Sequence, residues 1–297
     1  MNEQNSTKAN INWYPGHMAK TRRIMTEKMK LVDIVAELRD ARVPFSSRNP
    51  DLDDICKNKS RIILLNKSDM ADEMVTKLWV DWYNSKGIKV IPLCAISGAG
   101  ISEFKSVVRA SLSEKFERNA TRGMTGRSVK IMVVGIPNVG KSAFINKIAG
   151  RSVAAVGDRP GVTRTEQWVV FDKNYEILDT PGVLWPKFED ETVALNLALT
   201  GSIKDQIMDV EALAVKLCSF FKKNYTQLFK ERYLLEDISE LEDYEILETI
   251  GRKRGFLLPG AEVDTERAAN VLLYELRGTK IGKISLERPE DLINAKF

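Results

Sequence analysis

The run Gly135-Ile136-Pro137-Asn138-Val139-Gly140-Lys141-Ser142 places backbone N–H groups, an ammonium and a hydroxyl in one short turn. Glycines let the N–H groups face inward, and a helix starting at the end of the turn adds a positive dipole. Asn138, Val139, Gly140, Lys141, Ser142 and Ala143 therefore suit a polyphosphate. In that role Lys141 neutralises β and γ oxygens and Ser142 ligates Mg²⁺. Asp179-Thr180-Pro181-Gly182 lies downstream and supplies the acid that faces the metal (Asp179) and an N–H for the γ-phosphate (Gly182). Pro160-Gly161-Val162-Thr163 brings a further metal-seeking hydroxyl, Thr163, with Thr165 as the competing candidate. Either tetrapeptide alone is an ordinary turn; the set is not.

Base choice is read from Asn66-Lys67-Ser68-Asp69. A carboxylate such as Asp69 accepts both donors of guanine's N1/N2 edge, whereas adenine leaves it unpaired. Cys94-Ala95-Ile96 ends the next strand-like run, and the Ala95 N–H suits guanine O6. These motifs run in an unusual order, because the base-reading pair precedes the phosphate loop. A circular permutation lets them meet around one nucleotide if the old termini are linked and new ones open at the surface. Glu117 to Arg127 lacks apolar periodicity and reads as that linker.

The elements that must hold these residues alternate. Pro15 opens a helix to about Met29, with Lys20, Arg22, Arg23, Lys28 and Lys30 on its face. Strands are expected over Leu31–Leu38, Arg61–Leu65, Lys89–Leu93, Val129–Val134, Glu166–Phe171 and Tyr175–Leu178. Helices are expected after Pro50, over Met74–Lys86, from Ile101 to about Phe116, and over Ser142–Ile148. Such alternation predicts an α/β fold, a doubly wound and mostly parallel sheet with ligands at the strands' carboxyl ends. From about Asp205 the pattern is helical only. Val210, Leu213, Leu217 and Phe221, then Ile246, Leu247 and Ile250, then Ala268, Val271, Leu272 and Leu276, mark apolar helix faces. The expected division is a polar tail over residues 1–12, a permuted P-loop domain over 13–204, and an all-helical domain over 205–297.

Composition is that of an ordinary globular chain: 297 residues, 43% hydrophobic, 29% charged, net charge +4. No apolar run is long enough for a membrane helix, and Met1 to Asn12 lack the apolar core of a secretory signal. The three cysteines, Cys56, Cys94 and Cys218, are scattered, which predicts reduced thiols in the cytoplasm and excludes a four-cysteine zinc site.

The chain resembles the RbgA/YlqF family of circularly permuted ribosome-assembly GTPases. The resemblance rests on Trp13-Tyr14-Pro15-Gly16-His17-Met18, Asp40-Ala41-Arg42-Val43-Pro44, the motif order above, and Asp179 through Pro186. It implies hydrolysis of GTP to GDP, coupled to late maturation of the large ribosomal subunit, by a monomer that binds the precursor particle and its RNA. One departure is Cys94, where the family often has serine; the contact expected there uses backbone.

Val183 follows Gly182 where many GTPases carry a water-orienting glutamine, so slow intrinsic hydrolysis is expected. His17, the single histidine, is either a bland helix-start residue or, from its place in the family-like segment, a catalytic group beside Lys141. Asn138 matches a position that helps hold K⁺ in similar GTPases. In the C-terminal region, Arg252-Lys253-Arg254 beside Gly255-Phe256 suits RNA backbone contact plus stacking, against the alternative of a solvated helix face. A GTP-sensing RNA-binding scaffold that needs no hydrolysis is the alternative function. Small-subunit permuted GTPases carry an OB-fold or a cysteine-rich zinc module, and neither is visible in this sequence.

Overall fold

A computed structural model describes residues 23–57, 59–112, 128–153, 167–172, 175–180, 182, 190–203 and 209–292. The proposed linker, His17, Thr163, Thr165 and Val183 lie outside them. Within the described residues a helix at 23–29 (α1) precedes β1 (Ile34–Asp40) and α2 (Asp51–Ile55). There follow β2 (Ser60–Asn66), α3 (Glu73–Ser85), β3 (Lys89–Pro92), α4 (Ile101–Ser111), β4 (Val129–Val134) and α5 (Lys141–Ala149). The hairpin of β5 (Gln167–Asp172) and β6 (Tyr175–Asp179) leads to α6 (Glu191–Leu199). Last come α7 (Val210–Asn224), α8 (Thr226–Tyr233), α9 (Asp243–Lys253) and α10 (Thr265–Arg277).

The strands form one six-stranded sheet in the order β3-β2-β1-β4-β6-β5. All neighbours are parallel except β5 and β6. β1 is buried along its whole length and β2 and β4 along most of theirs, as parallel strands covered on both faces must be. The expected strand start at Leu31 shifts to Ile34, because Leu31 is an exposed turn residue whose N–H bonds Lys28. The two sequence halves meet along the β1–β4 seam, with Ile34 opposite Ile131 and Glu37 opposite Val134. Permutation thus leaves the centre of the sheet intact while changing which loops are covalently joined.

One face of the sheet packs on α4 and α5 through Phe104, Val108, Phe144 and Ile145, and the other on α1, α2 and α3 through Met25, Leu52 and Trp79. The helices α7 to α10 build a separate core around Leu217, Phe221, Phe229, Leu247 and Leu272, which also takes Val43, Ala198 and Leu199 from the sheet-bearing half. Their starts are chemically marked: Asp209 accepts from the Glu211 and Ala212 N–H groups, and Glu242 and Glu245 form a reciprocal capping box.

After α10 the chain keeps Ile281, Ile284 and Leu286 in the helical core while it turns back to the sheet. Residues 281–288 run back across the carboxyl edge of the sheet, where Glu287 is buried. Its carboxylate accepts from the N–H groups of Phe45 (2.8 Å) and Ser46 (2.9 Å) and from the Ser46 hydroxyl (3.0 Å). Burial pushes the carboxyl up to about 7, against the pull of those donors. Below the ordinary glutamate value both folded and unfolded chains are protonated, and this contribution to stability is complete. It is lost as pH rises towards 7, because only the unfolded chain releases its proton freely. The expected result is a fall in denaturant-unfolding stability between pH 5 and 7, amounting to at most about 3 kcal/mol, which Glu287→Gln lacks. Parallel pH profiles for the two proteins would show that the carboxyl titrates normally.

Candidate functional site

Every motif residue within the described part lies at the carboxyl edge of the sheet, where open α/β sheets bind ligands. Asp40 ends β1, Asn66 ends β2, Cys94 follows β3, Gly135 follows β4 and Asp179 ends β6. The turn after β4 requires glycine at two points. At Gly135 (φ 153°) a Cβ would sit 2.6 Å from the Leu38 carbonyl oxygen, and at Gly140 (φ 97°) 2.3 Å from Asn66 Nδ2. α5 then starts at Lys141, with its N-terminal N–H groups facing the same edge.

Asn66 is the bond between the two halves. Its Nδ2 donates to the Val139 carbonyl at 2.7 Å, and its Oδ1 accepts from the Ala95 N–H at 2.9 Å. One buried amide therefore fixes the phosphate-type turn, the Asn66–Asp69 loop and the Cys94–Ile96 loop relative to one another. The Ala95 N–H, expected to face guanine O6, meets Asn66 Oδ1 in this structure. The Cys94 thiol is buried and accepts from the Ser97 N–H at 3.4 Å, a local turn contact. Asp69 is exposed at the tip of its loop, and Ile96, 82% exposed, stands on the neighbouring one.

Lys67 adopts φ 61° and sets its ammonium 3.0 Å from Asp40. Arg42 grips the same carboxylate through Nε at 2.9 Å and Nη2 at 2.8 Å. Against the penalty of burial, Arg42 and Lys67 hold the Asp40 carboxyl well below the usual carboxylate range. Thus the Asp40–Pro44 segment braces the loop that carries Asp69. Sequence reading used that segment only as a mark of resemblance; the pairing of an acid with a cation two residues on, at a strand end, was its available signal.

On the phosphate side, Lys141 Nζ donates to the carbonyls of Gly135 (3.0 Å) and Ile136 (2.7 Å). Burial pushes its ammonium down to about 8, with Asp179 opposing. Gly182 comes so close that a Cβ would lie 2.9 Å from Lys141 Nζ and from the Pro137 backbone. Asp179 is buried, and among the described residues neither of its side-chain oxygens has a hydrogen-bond partner. Burial pushes its carboxyl up to about 6, with Lys141 opposing. A buried carboxylate without donors, beside a buried ammonium and the Ser142 position, suits a bound cation. No group of three or more His, Cys, Asp or Glu side chains that could hold a metal occurs among the described residues. One carboxylate with hydroxyls matches Mg²⁺, which takes few protein ligands and keeps water and phosphate oxygens.

Asn138, at φ 58°, donates from Nδ2 to the Gly201 carbonyl at 2.9 Å, which ties the turn to the segment after α6. The basic cluster at the end of α9 is exposed but partly engaged. Lys253 Nζ bonds the Leu234 carbonyl, and the Arg254 guanidinium contacts Glu275 at 3.4 Å and lies over the Tyr233 ring. Phe256, expected as a stacking surface, is half-buried with the Arg267 guanidinium 4.5 Å from its ring centre. Among the described residues no helix is long and apolar enough to cross a membrane.

Residues 130–249 match the family model described as 50S ribosome-binding GTPase. The chain is 48% identical to ribosome biogenesis GTPase A of Bacillus licheniformis, across 95% of this chain and 99% of the relative. Identity to the Bacillus cereus protein of that name is 47%, across 95% of both. For the Thermotoga maritima protein it is 34%, across 95% and 96%. The crystal structure of GNP-bound YlqF from T. maritima superposes with a TM-score of 0.62 at 31% identity, covering 91% of this chain and 99% of that one. Its GDP-bound structure gives 0.63 at 32% identity, with 91% and 100% coverage. A permuted sheet that brings both motif halves to one edge, and relatedness along nearly its whole length, establish that the chain is a GTPase of the ribosome biogenesis GTPase A family.

Proposed function

We propose that the chain binds GTP at the edge described above and hydrolyses it as a switch in late assembly of the large ribosomal subunit, in the cytoplasm and as a monomer. The observation that carries the nucleotide site is the Asn66 bridge, since it holds the base-reading and phosphate-cradling loops at a fixed separation. Asp69 reads the N1/N2 edge of guanine, and the Lys67 stem and Ile96 flank the base. The N–H groups of Asn138 to Ala143 and of Gly182 meet the phosphates, and Lys141 exchanges its carbonyl partners for phosphate oxygens.

Ser142, Thr163 and Asp179 would hold Mg²⁺, which when bound offsets charge on the β and γ oxygens. Asn138 keeps its Oδ1 for a K⁺ ion beside the phosphates, its Nδ2 being occupied by Gly201. Water positioning falls to His17, because Val183 has no polar atom to do it. The partner is the precursor particle, with its RNA met by the helical region, including exposed Arg252 with Lys253 and Arg254.

The test is cosedimentation of the chain with large-subunit precursors under GDP, GTP and a non-hydrolysable analogue, alongside multiple-turnover phosphate release with and without particles. Nucleotide-dependent association together with particle-stimulated release is expected. Association without stimulated turnover would favour the GTP-sensing scaffold, and no association would overturn the partner assignment.

A further inference from the structure

The segment over residues 281–288 is a strap across two loops of the candidate site. Towards the loop after β2, the Ile284 N–H donates to the Met70 carbonyl at 3.1 Å, one residue beyond Asp69. The Ser285 hydroxyl accepts the Asp72 N–H at 3.2 Å. Towards the loop after β1, the Leu286 N–H donates to the Arg42 carbonyl at 2.8 Å, and the Glu287 carboxylate takes the Phe45 and Ser46 N–H groups. The Trp79 indole N–H of α3 holds the Glu287 carbonyl at 3.1 Å. The helical region completes the clamp through Tyr225, which joins α7 to α8. Its hydroxyl accepts the Ser285 N–H at 3.2 Å and lies 3.1 Å from the Asp72 carboxylate.

The loop that carries Asp69 is therefore held from opposite sides. On the sheet side, the Ser68 N–H bonds the Leu93 carbonyl at 3.0 Å and the Lys67 ammonium meets Asp40. On the other side, among the described residues, the strap meets the Met70 carbonyl and the Asp72 N–H, and Tyr225 meets the Asp72 carboxylate. A carboxylate that must meet two base N–H groups at hydrogen-bond distance tolerates little displacement, since geometric errors near 1 Å cost large factors in paired recognition. The strap's bond to the Met70 carbonyl lies one residue from Asp69, and Tyr225 and Ser285 both meet Asp72, three residues from it.

We propose that the strap, anchored by Tyr225, Ser285 and Glu287, is a specificity-determining element that positions Asp69 for guanine, so that base selection depends on the C-terminal end of the chain. This rests on the reading of Asp69 as the base reader. The experiment compares binding of GTP and inosine triphosphate, which lacks the 2-amino group, to the full chain with Mg²⁺. The proteins are the parent, Tyr225→Phe with Ser285→Ala, Glu287→Ala, which removes the acceptor for the Phe45 and Ser46 N–H groups, and Asp69→Asn as reference, each checked for an intact thermal transition.

Strap variants are expected to lower the GTP-over-inosine triphosphate ratio by about fivefold or more, with a smaller loss of inosine triphosphate affinity because hypoxanthine keeps its N1–H. A general loss of stability would weaken both nucleotides alike and would overturn the proposal. So would an unchanged ratio in the strap variants when Asp69→Asn lowers it. A ratio unaffected by Asp69→Asn would instead overturn the base-reader assignment, and the strap's role with it.

Discussion

Asp69→Asn is expected to reverse base preference: GTP binding falls steeply and xanthosine triphosphate is accepted, a change in relative affinity of about 10³-fold or more. The carboxylate accepts from N1–H and N2–H of guanine; an amide still accepts one proton but turns its NH₂ towards the other, which xanthine's carbonyl can receive. The position favours a clean result. Asp69 is exposed, so the substitution removes no core contact. The motif's other members are committed elsewhere, Asn66 to Val139 and Ala95, and Lys67 to Asp40. No second carboxylate in the motif can take over the role. Competition binding with both triphosphates decides the matter: a variant that prefers GTP as strongly as the parent does would remove Asp69 from the base site.

His17→Ala is expected to leave GTP affinity within about twofold and to lower particle-stimulated hydrolysis by about 10²-fold or more. The phosphate and metal ligands do not include His17, so ground-state binding has no reason to change. The chemical step has a gap, because Val183 occupies the place of a water-orienting side chain. An imidazole brought over the γ-phosphate by the particle would fill that gap by accepting a hydrogen bond from the attacking water. Single-turnover hydrolysis at saturating particle, with particle binding measured separately, reads the effect. Full stimulation in the variant would assign the water to a group of the particle or to a cation beside Asn138.

Much of this protein was legible in local sequence. The backbone-cradling run from Gly135 to Ser142, the acid at Asp179 and the order of the motifs depend on neighbours within a turn or on strand–helix alternation. Short-range sterics and periodicity encode such features directly. Helix ends were similarly open to reading, because Asp72, Asp209 and Glu242 act on N–H groups two or three residues away.

Only the tertiary structure decided what connects these parts. Asn66 reads locally as a member of a base-recognition tetrapeptide, yet it bonds a carbonyl 73 residues on and an amide 29 residues on. The Ala95 N–H meets that same side chain, a contact that no local pattern marks. Asp179 reads as a metal-facing acid, but that both its side-chain oxygens are buried with no donor among the described residues is a property of the packed sheet edge. Glu287, 241 residues from the Ser46 hydroxyl that it receives, carries no local mark at all in the run Ser285-Leu286-Glu287-Arg288. Periodicity reports which face of an element is buried and motifs report which groups a short loop can offer. The partner of a buried polar group is set by the whole packing, which must bring a donor or acceptor to each such group or bear the cost of leaving it unpaired.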